Sequence, residues 1–142
     1  MNRWIKLATL LAMMCAACLA HAHDTRPAYL QINEMTPGRY AVVWRTPVTA
    51  GMRLPVWLEF PSGTRDLTPP SLRELSASRI EYRVVETTGG LIGKRIQFMG
   101  LQGTITDVLV HVQLADGTQS NTLVHPSQAW VEVAGKIGRA HV

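Results

Sequence analysis

The chain has 142 residues, with 14 Lys and Arg against 10 Asp and Glu and a formal net charge of +4. This length is enough for one domain with its own hydrophobic core and too short for two. No block of Lys and Arg interleaved with aromatic residues occurs, which argues against a nucleic-acid partner.

The first 22 residues have the three parts of a secretory signal peptide. Arg3 and Lys6 give a basic start, residues 7–19 form an apolar run, and Ala20-His21-Ala22 has the small-x-small pattern of a signal peptidase site. The apolar run is shorter than the roughly 20 residues that a membrane-spanning helix needs. We therefore expect cleavage after Ala22 and export of the remaining chain.

Processing at this site would change the composition of the protein. Both cysteines, Cys15 and Cys18, lie in the removed segment, so the mature domain, residues 23–136, would have no disulfide. Loss of Arg3 and Lys6 leaves 12 basic residues against 10 acidic residues, a net charge of +2. Two alternatives stay open: an uncleaved N-terminal anchor, and lipoprotein processing at Cys18.

After residue 22 the hydrophobic pattern is almost wholly period-two, which is typical of strands that bury one face. The clearest case is Ile80, Tyr82 and Val84, which alternate with charged residues, and we expect these three side chains to be buried. Eight segments alternate in this way: 28–32, 40–44, 54–60, 80–84, 96–98, 108–114, one around Leu123, and 131–133.

Turn residues separate these segments. Pro37-Gly38 and Gly89-Gly90 fit tight turns, and Asp116-Gly117 is a two-residue hairpin signal. Only residues 70–77 hint at a helix, of one turn. This pattern predicts an all-β fold, an antiparallel immunoglobulin-like β-sandwich of about seven to eight strands after a signal peptide.

The last six residues, 137–142, break the strand pattern. They match the translation of a widely used short-read sequencing adapter in one reading frame. We therefore expect a non-native tail here and a natural gene that continues further.

Histidines offer the metal chemistry that the sequence suggests. After cleavage His23 would be the N-terminal residue, and its α-amine and imidazole could chelate one copper or nickel ion. Asp24 and a second histidine, His111, could complete the ligand set. In the competing interpretation His23 is an ordinary terminal residue and His111 is solvated. His111 would lie on the face of its strand opposite to the face of Val108 and Val110.

The sequence predicts no enzyme and requires no cofactor. It has no G-x-S-x-G nucleophile elbow, and the Gly-rich segment 89–94 lacks the spacing and the Ser/Thr of a phosphate loop. Trp57 and Trp130 lie on strand faces with charged neighbours, so we expect them at an interaction surface for a protein or a glycan. Trp44 shares a face with Val42 and is expected in the core.

Several short blocks resemble the HupE/UreJ family of hydrogenase and urease accessory membrane proteins. Together the blocks run through most of residues 23–133. They are His23-Asp24-Thr25-Arg26-Pro27-Ala28-Tyr29-Leu30, Pro37-Gly38-Arg39-Tyr40, Val43-Trp44-Arg45, Gly51-Met52-Arg53-Leu54, Gly89-Gly90-Leu91-x-Gly93 and Gly100-Leu101-x-Gly103-Thr104-x-Thr106-Asp107-Val108-Leu109-Val110.

The resemblance implies a β-rich domain on the periplasmic face of the inner membrane, joined to a C-terminal bundle of membrane helices, and a role in nickel handling. The family's nickel motif belongs to the membrane part, so no metal ligand carries over. The resemblance also implies a cysteine pair near the positions of Thr64 and Thr87, and neither is Cys here. The alternative function is a free periplasmic copper- or nickel-binding sandwich, similar to CopC-type carriers, with His23 as a ligand.

Overall fold

The computed structural model describes residues 2–19 and 26–136. Residues 2–19 hold one helix, and residues 26–136 hold eleven strands and two 3-10 turns. The elements are α1 Asn2–Leu19, β1 Ala28–Thr36, β2 Arg39–Thr49, β3 Met52–Arg53, β4 Trp57–Glu59, β5 Thr64–Asp66, β6 Ser71–Glu74, β7 Ser78–Thr87, β8 Arg95–Met99, a 3-10 turn Leu101–Gly103, β9 Val108–Gln113, β10 Gln119–Val124, a 3-10 turn Pro126–Gln128 and β11 Trp130–Glu132.

The N-terminal helix α1 includes the apolar run of the expected signal peptide. Within the described ranges no helix has both the length and the apolar character needed to cross a membrane. The expected cleavage site after Ala22 and the expected tail, 137–142, both lie outside the described residues.

The strands form two sheets, and the prediction of an all-β sandwich is confirmed. The larger sheet has eight strands in the order β10-β9-β1-β2-β7-β5, with β3 paired to β2 and β6 paired to β7. The smaller sheet has the order β11-β8-β4. One pair departs from the predicted antiparallel arrangement: β1 runs parallel to β9, with Ala28 opposite Val108.

The core lies between the smaller sheet and the strands β9, β1 and β2 of the larger one. Alternate residues of β1 and β9 are fully buried, among them Leu30 and Val108. From the smaller sheet Ile96 and Phe98 face them, and the Phe98 ring lies 5.6 Å from the Trp44 ring. Trp44 is 4% exposed, which confirms its predicted place in the core.

Strand β7 buries the face opposite to the one its sequence predicts. Tyr82 is 41% exposed, and Ile80 and Val84 are only half-buried. The charged residues Glu81 and Arg83 instead pair with Trp44 and Val42, on the inner side of the sheet. The smaller sheet is three strands wide, so β7 lies near its margin, where long charged side chains reach water.

The outer edge of β7 is completed by two short strands. β5 pairs with its C-terminal part, β6 pairs with its N-terminal part, and Pro69-Pro70 lies between them. The one-turn helix expected over residues 70–77 is therefore wrong, because Ser71–Glu74 adds to the sheet. Edge pairing gives these backbone groups the hydrogen bonds that a single helical turn leaves unmade.

The predicted turns connect the strands. Pro37-Gly38 joins β1 to β2, and Gly38 has φ 82°, a value that suits glycine. The β9–β10 hairpin forms at Asp116-Gly117, but its connection has three residues, 115–117, since Leu114 N–H donates to the Thr118 carbonyl. Such a loop, with glycine in the left-handed position, is the next commonest hairpin after the two-residue one.

Candidate interaction surface

Both tryptophans predicted at an interaction surface lie on the outer face of the smaller sheet. In this sheet Leu58, Ile96, Phe98 and Val131 point into the sandwich. Their neighbours along the strands point outward, and these outward residues define the small-sheet face: Trp57, Glu59, Arg95, Gln97, Met99, Trp130 and Glu132.

The two indoles lie on the strands that flank β8. Trp57 on β4 is opposite Met99, and Trp130 on β11 is opposite Gln97. The two positions are therefore two strands apart and offset by two residues, which places their Cα atoms about 12 Å apart. Each tryptophan lies on the same side of its strand as a glutamate, as the alternation predicted, and the sheet order brings the pair to one face.

Trp57 is the more accessible of the two. It is 60% exposed, although tryptophan usually buries most of its large apolar surface. Its ring lies 3.8 Å from the position that a Cβ on Gly100 would occupy, and Gly100 has φ 92°. The same Cβ would lie 2.4 Å from the Pro55 carbonyl oxygen, so only glycine lets this loop pass behind Trp57.

Trp130 is already partly covered by the protein. The Arg95 guanidinium carbon lies 3.7 Å from the centroid of its ring, a cation–π contact. One face of the Trp130 indole is therefore occupied. The Trp57 ring is the more open of the two to stacking by a planar ligand. The sequence did not predict this stacking, although alternation within β8 places Arg95 on the outer side.

The small-sheet face combines residue types that protein interfaces favour. Tryptophan and arginine are enriched at binding hot spots, and Glu59 and Glu132 add one carboxylate to each of the two strands that carry the indoles. A bare indole suits stacking on a sugar ring or packing against a protein surface. The arrangement supports binding, and none of the seven residues of this face offers a nucleophile beside a base.

The residues predicted as metal ligands fall into two groups. His23 and Asp24 lie outside the described residues. His111 lies half-buried on the outer face of the larger sheet, opposite Val108 and Val110 as predicted, with its Nδ1 2.7 Å from Asn121 Oδ1. Among the residues that the structure describes, no group of three His, Cys, Asp or Glu side chains is close enough to hold a metal.

A second histidine contact, at His125, is one that the sequence does not predict. His125 Nδ1 lies 3.0 Å from Asp107 Oδ1, between the end of β10 and the start of β9. Both side chains are substantially exposed. The two residues are 18 positions apart, and only the pairing of β9 with β10 brings them together.

No protein-family model matches the chain, and no curated protein matches it either. The likeness to HupE/UreJ proteins therefore stays a resemblance between short blocks.

Proposed function

We propose that this chain is the extracytoplasmic domain of a membrane protein of HupE/UreJ type. In this role it takes part, without catalysis of its own, in nickel handling for hydrogenase or urease maturation. The proposal starts from the blocks of resemblance in residues 23–133, and two structural observations support it.

The observation that carries the proposal is the contact between Thr64 and Thr87. These are the positions near which the resemblance implies a cysteine pair. In this chain the two residues are directly opposite each other on β5 and β7, and their Oγ1 atoms lie 3.0 Å apart.

The backbone at this pair has the geometry that a disulfide needs. Thr87 N–H donates to the Gly38 carbonyl on the β2 side, so its backbone points away from β5. Thr64 and Thr87 therefore form a non-hydrogen-bonded pair, whose Cα atoms lie about 4.5 Å apart. This distance falls within the range of about 4.4–6.8 Å that disulfides span. Two residues 23 positions apart meet where relatives are expected to be cross-linked.

A second support is the contact between two blocks of the resemblance. Leu91 N–H donates to the Tyr40 hydroxyl at 2.8 Å, in the core. A Cβ on Gly90 would lie 3.2 Å from the same hydroxyl, and Gly90 has φ 76°. Gly90 of one block thus leaves room for the Tyr40 hydroxyl of the other, so the two blocks meet in the core.

The proposal is tested by sequencing the locus anew through and beyond codon 136. We expect the reading frame to continue into several apolar runs of about 18 residues or more, each long enough to span a membrane. We also expect hydrogenase, urease or nickel genes nearby. A short hydrophilic ending confirmed in the genome would contradict the proposal.

The second candidate function is a free periplasmic carrier of copper or nickel. The observation that favours it is the Asp107–His125 contact, because Ala28 N–H donates to the Asp107 carbonyl at 2.9 Å. The start of β1 thus lies beside this pair, and His23 precedes Ala28 by five residues, a span of at most about 18 Å. An N-terminal amine and imidazole within that reach suit Cu(II).

Copper titration of the mature protein separates the two functions. Under the carrier function, Cu(II) binding is lost when one residue is added before His23 and weakened by His125→Gln. The matched control is His111→Gln, which changes a histidine outside this pair and leaves binding intact. Cu(II) binding that is unchanged by the added residue refutes the carrier function and does not affect the accessory function.

A further inference from the structure

Within residues 26–136, three of the four outermost edges of the two sheets have features that discourage pairing with another chain. The β5–β6 edge is interrupted by Pro69-Pro70 and carries charged residues in both strands. β4 and β11 have three residues each, β4 lies between Pro55 and Pro61, and each strand contains a glutamate. Short length, proline and charge are the usual means of protecting an edge strand.

The fourth edge, β10, has none of these features. It runs for six residues, Gln119–Val124, with no charge, no proline and no interruption. Its first five residues are exposed or half-buried, and only Val124 at its end is buried. The strand therefore lies at an open margin of the sandwich.

The hydrogen bonds of the hairpin show which backbone groups of β10 are available. Leu114 N–H donates to the Thr118 carbonyl, so Leu114 and Thr118 form a hydrogen-bonded pair. Such pairs alternate along an antiparallel ladder, and Ser120, Thr122 and Val124 therefore bond to β9. The N–H and C=O groups of the alternate residues point away from the sheet; these residues are Gln119, Asn121 and Leu123.

We propose that β10 is a dimer interface, at which two copies of this chain pair antiparallel edge to edge. In a two-fold symmetric pairing, outward-pointing residues must face outward-pointing residues. One register uses all three: Asn121 opposite Asn121 of the second copy, and Gln119 opposite Leu123 of the second copy. This register gives about six backbone hydrogen bonds across the interface.

A second copy fits this edge because the strand is complementary to itself. With no charged residue in β10, the symmetric pairing puts no like charges opposite each other. Asn121 Oδ1 already contacts His111, which leaves the amide NH₂ to donate across the two-fold axis. Leu123, 48% exposed, gains the stem of Gln119 from the second copy as a neighbour.

Cysteine cross-linking tests this register in the full chain. In a Cys15→Ser, Cys18→Ser background, Asn121→Cys places the new thiol opposite its own copy, about 5.5 Å away between Cα atoms, within disulfide range. Gln119→Cys is the matched control, since its opposite residue is Leu123. We expect a disulfide-linked dimer from Asn121→Cys and far less from Gln119→Cys. No dimer from Asn121→Cys, or equal yields from both, would overturn the proposal.

Proline at the same position gives an independent test. Asn121→Pro removes an outward backbone N–H and the side-chain contact with His111 but no backbone hydrogen bond within the domain, so the fold is kept. Asn121→Thr loses the same side chain and keeps that N–H. By light scattering in a mild detergent that covers α1, we expect dimers for the wild type and Asn121→Thr, and monomers for Asn121→Pro. A monomeric wild type, or a monomer that binds a foreign extended peptide at β10, refutes the two-copy interface.

Discussion

Two parts of the eight-stranded sheet, strands β1 and β9 in one part and strand β7 in the other, differ in which face of an alternating strand is buried. On β1 and β9 the apolar residues of the alternation point inward and are buried, as with Leu30 and Val108. On β7 Ile80, Tyr82 and Val84 point outward, and Glu81 and Arg83 occupy the inner side. The difference arises from the second sheet, because three strands cover only part of a wider one. Alternation therefore defines a strand, and the covering layer decides which face is buried.

The charged inner side of β7 is stabilised by pairing at its rim. Arg83 forms an ion pair with Glu81 and lies 3.7 Å from Asp66, with its guanidinium 6.0 Å from the Phe60 ring. The side chains of Arg83 and Glu81 keep about a fifth of their surface in water, at 21% and 22%. Partial solvation avoids the full desolvation cost that a buried ion pair carries.

The largest change in stability should come from truncating an aromatic residue in the core between the two sheets. Phe98→Ala is expected to lower the free energy of unfolding by about 3–5 kcal/mol, because it opens a cavity between the sheets. Tyr82→Ala, on the exposed face of β7, should cost no more than about 1 kcal/mol. Urea denaturation measures both. Equal losses would mean that the apolar face of β7 is buried after all.

A disulfide between β5 and β7, in the part of the larger sheet that the smaller sheet covers less, should stabilise the fold. Thr64→Cys with Thr87→Cys is expected to form a disulfide under oxidising conditions and to stabilise the fold by about 3 kcal/mol. Gel mobility with and without reductant reports the bond, and thermal unfolding reports the gain. Arg65→Cys with Thr87→Cys is the control, since those residues are not opposite each other. Equal cross-linking in both pairs would contradict the β5–β7 register.

A smaller loss is expected from removing one buried hydroxyl. Tyr40→Phe leaves the Leu91 N–H without its acceptor in the core, at a cost of about 1–3 kcal/mol. Tyr29→Phe changes a hydroxyl outside this contact and should be nearly neutral. Urea denaturation of both variants measures how much the contact between Tyr40 and the 89–91 turn contributes to the free energy of unfolding. A neutral Tyr40→Phe would show that this turn is held by other contacts.

The smallest effect concerns acid stability on the β7 side. The Arg65 guanidinium, and after it that of Arg39, lowers the pKa of Glu86 below its ordinary value. A carboxylate with a lowered pKa stabilises the fold above its unfolded-state pKa of about 4.3, and this contribution is lost as the pH falls through the folded-state pKa.

We therefore expect Glu86→Gln to be less stable than the wild type at neutral pH and the difference to vanish in acid. Thermal unfolding from about pH 2 to about pH 7, a range that spans this carboxylate titration, measures it. Glu132→Gln, which removes a carboxylate outside the Arg39–Glu86 and Arg65–Glu86 ion pairs, is the matched control. A difference that persists in acid would mean that Glu86 acts through packing.

The sequence predicted the features that local patterns determine. Alternation located the main strands, and Pro37-Gly38 and Asp116-Gly117 located two turns. It also put Trp57 and Trp130 on outward faces. It could not predict the buried face of β7, because that depends on the width of a sheet built from distant segments.

The sequence also could not predict contacts between distant segments. The Asp107–His125 pair depends on the register of a hairpin, and the Arg95–Trp130 stacking depends on β11 lying beside β8. No local signal in either segment names its partner. Thr64 and Thr87 were paired only through the family resemblance, and their contact became visible in the fold.

The most direct test of the proposed role is nickel-dependent enzyme activity in cells that carry the gene. An in-frame deletion of codons 26–136 should lower urease or hydrogenase activity when nickel is limiting, and added nickel salt should restore it. A nickel-independent enzyme assayed in the same cells should be unchanged. Unaltered activity at every nickel concentration, or a loss that added nickel does not restore, would contradict the proposed role.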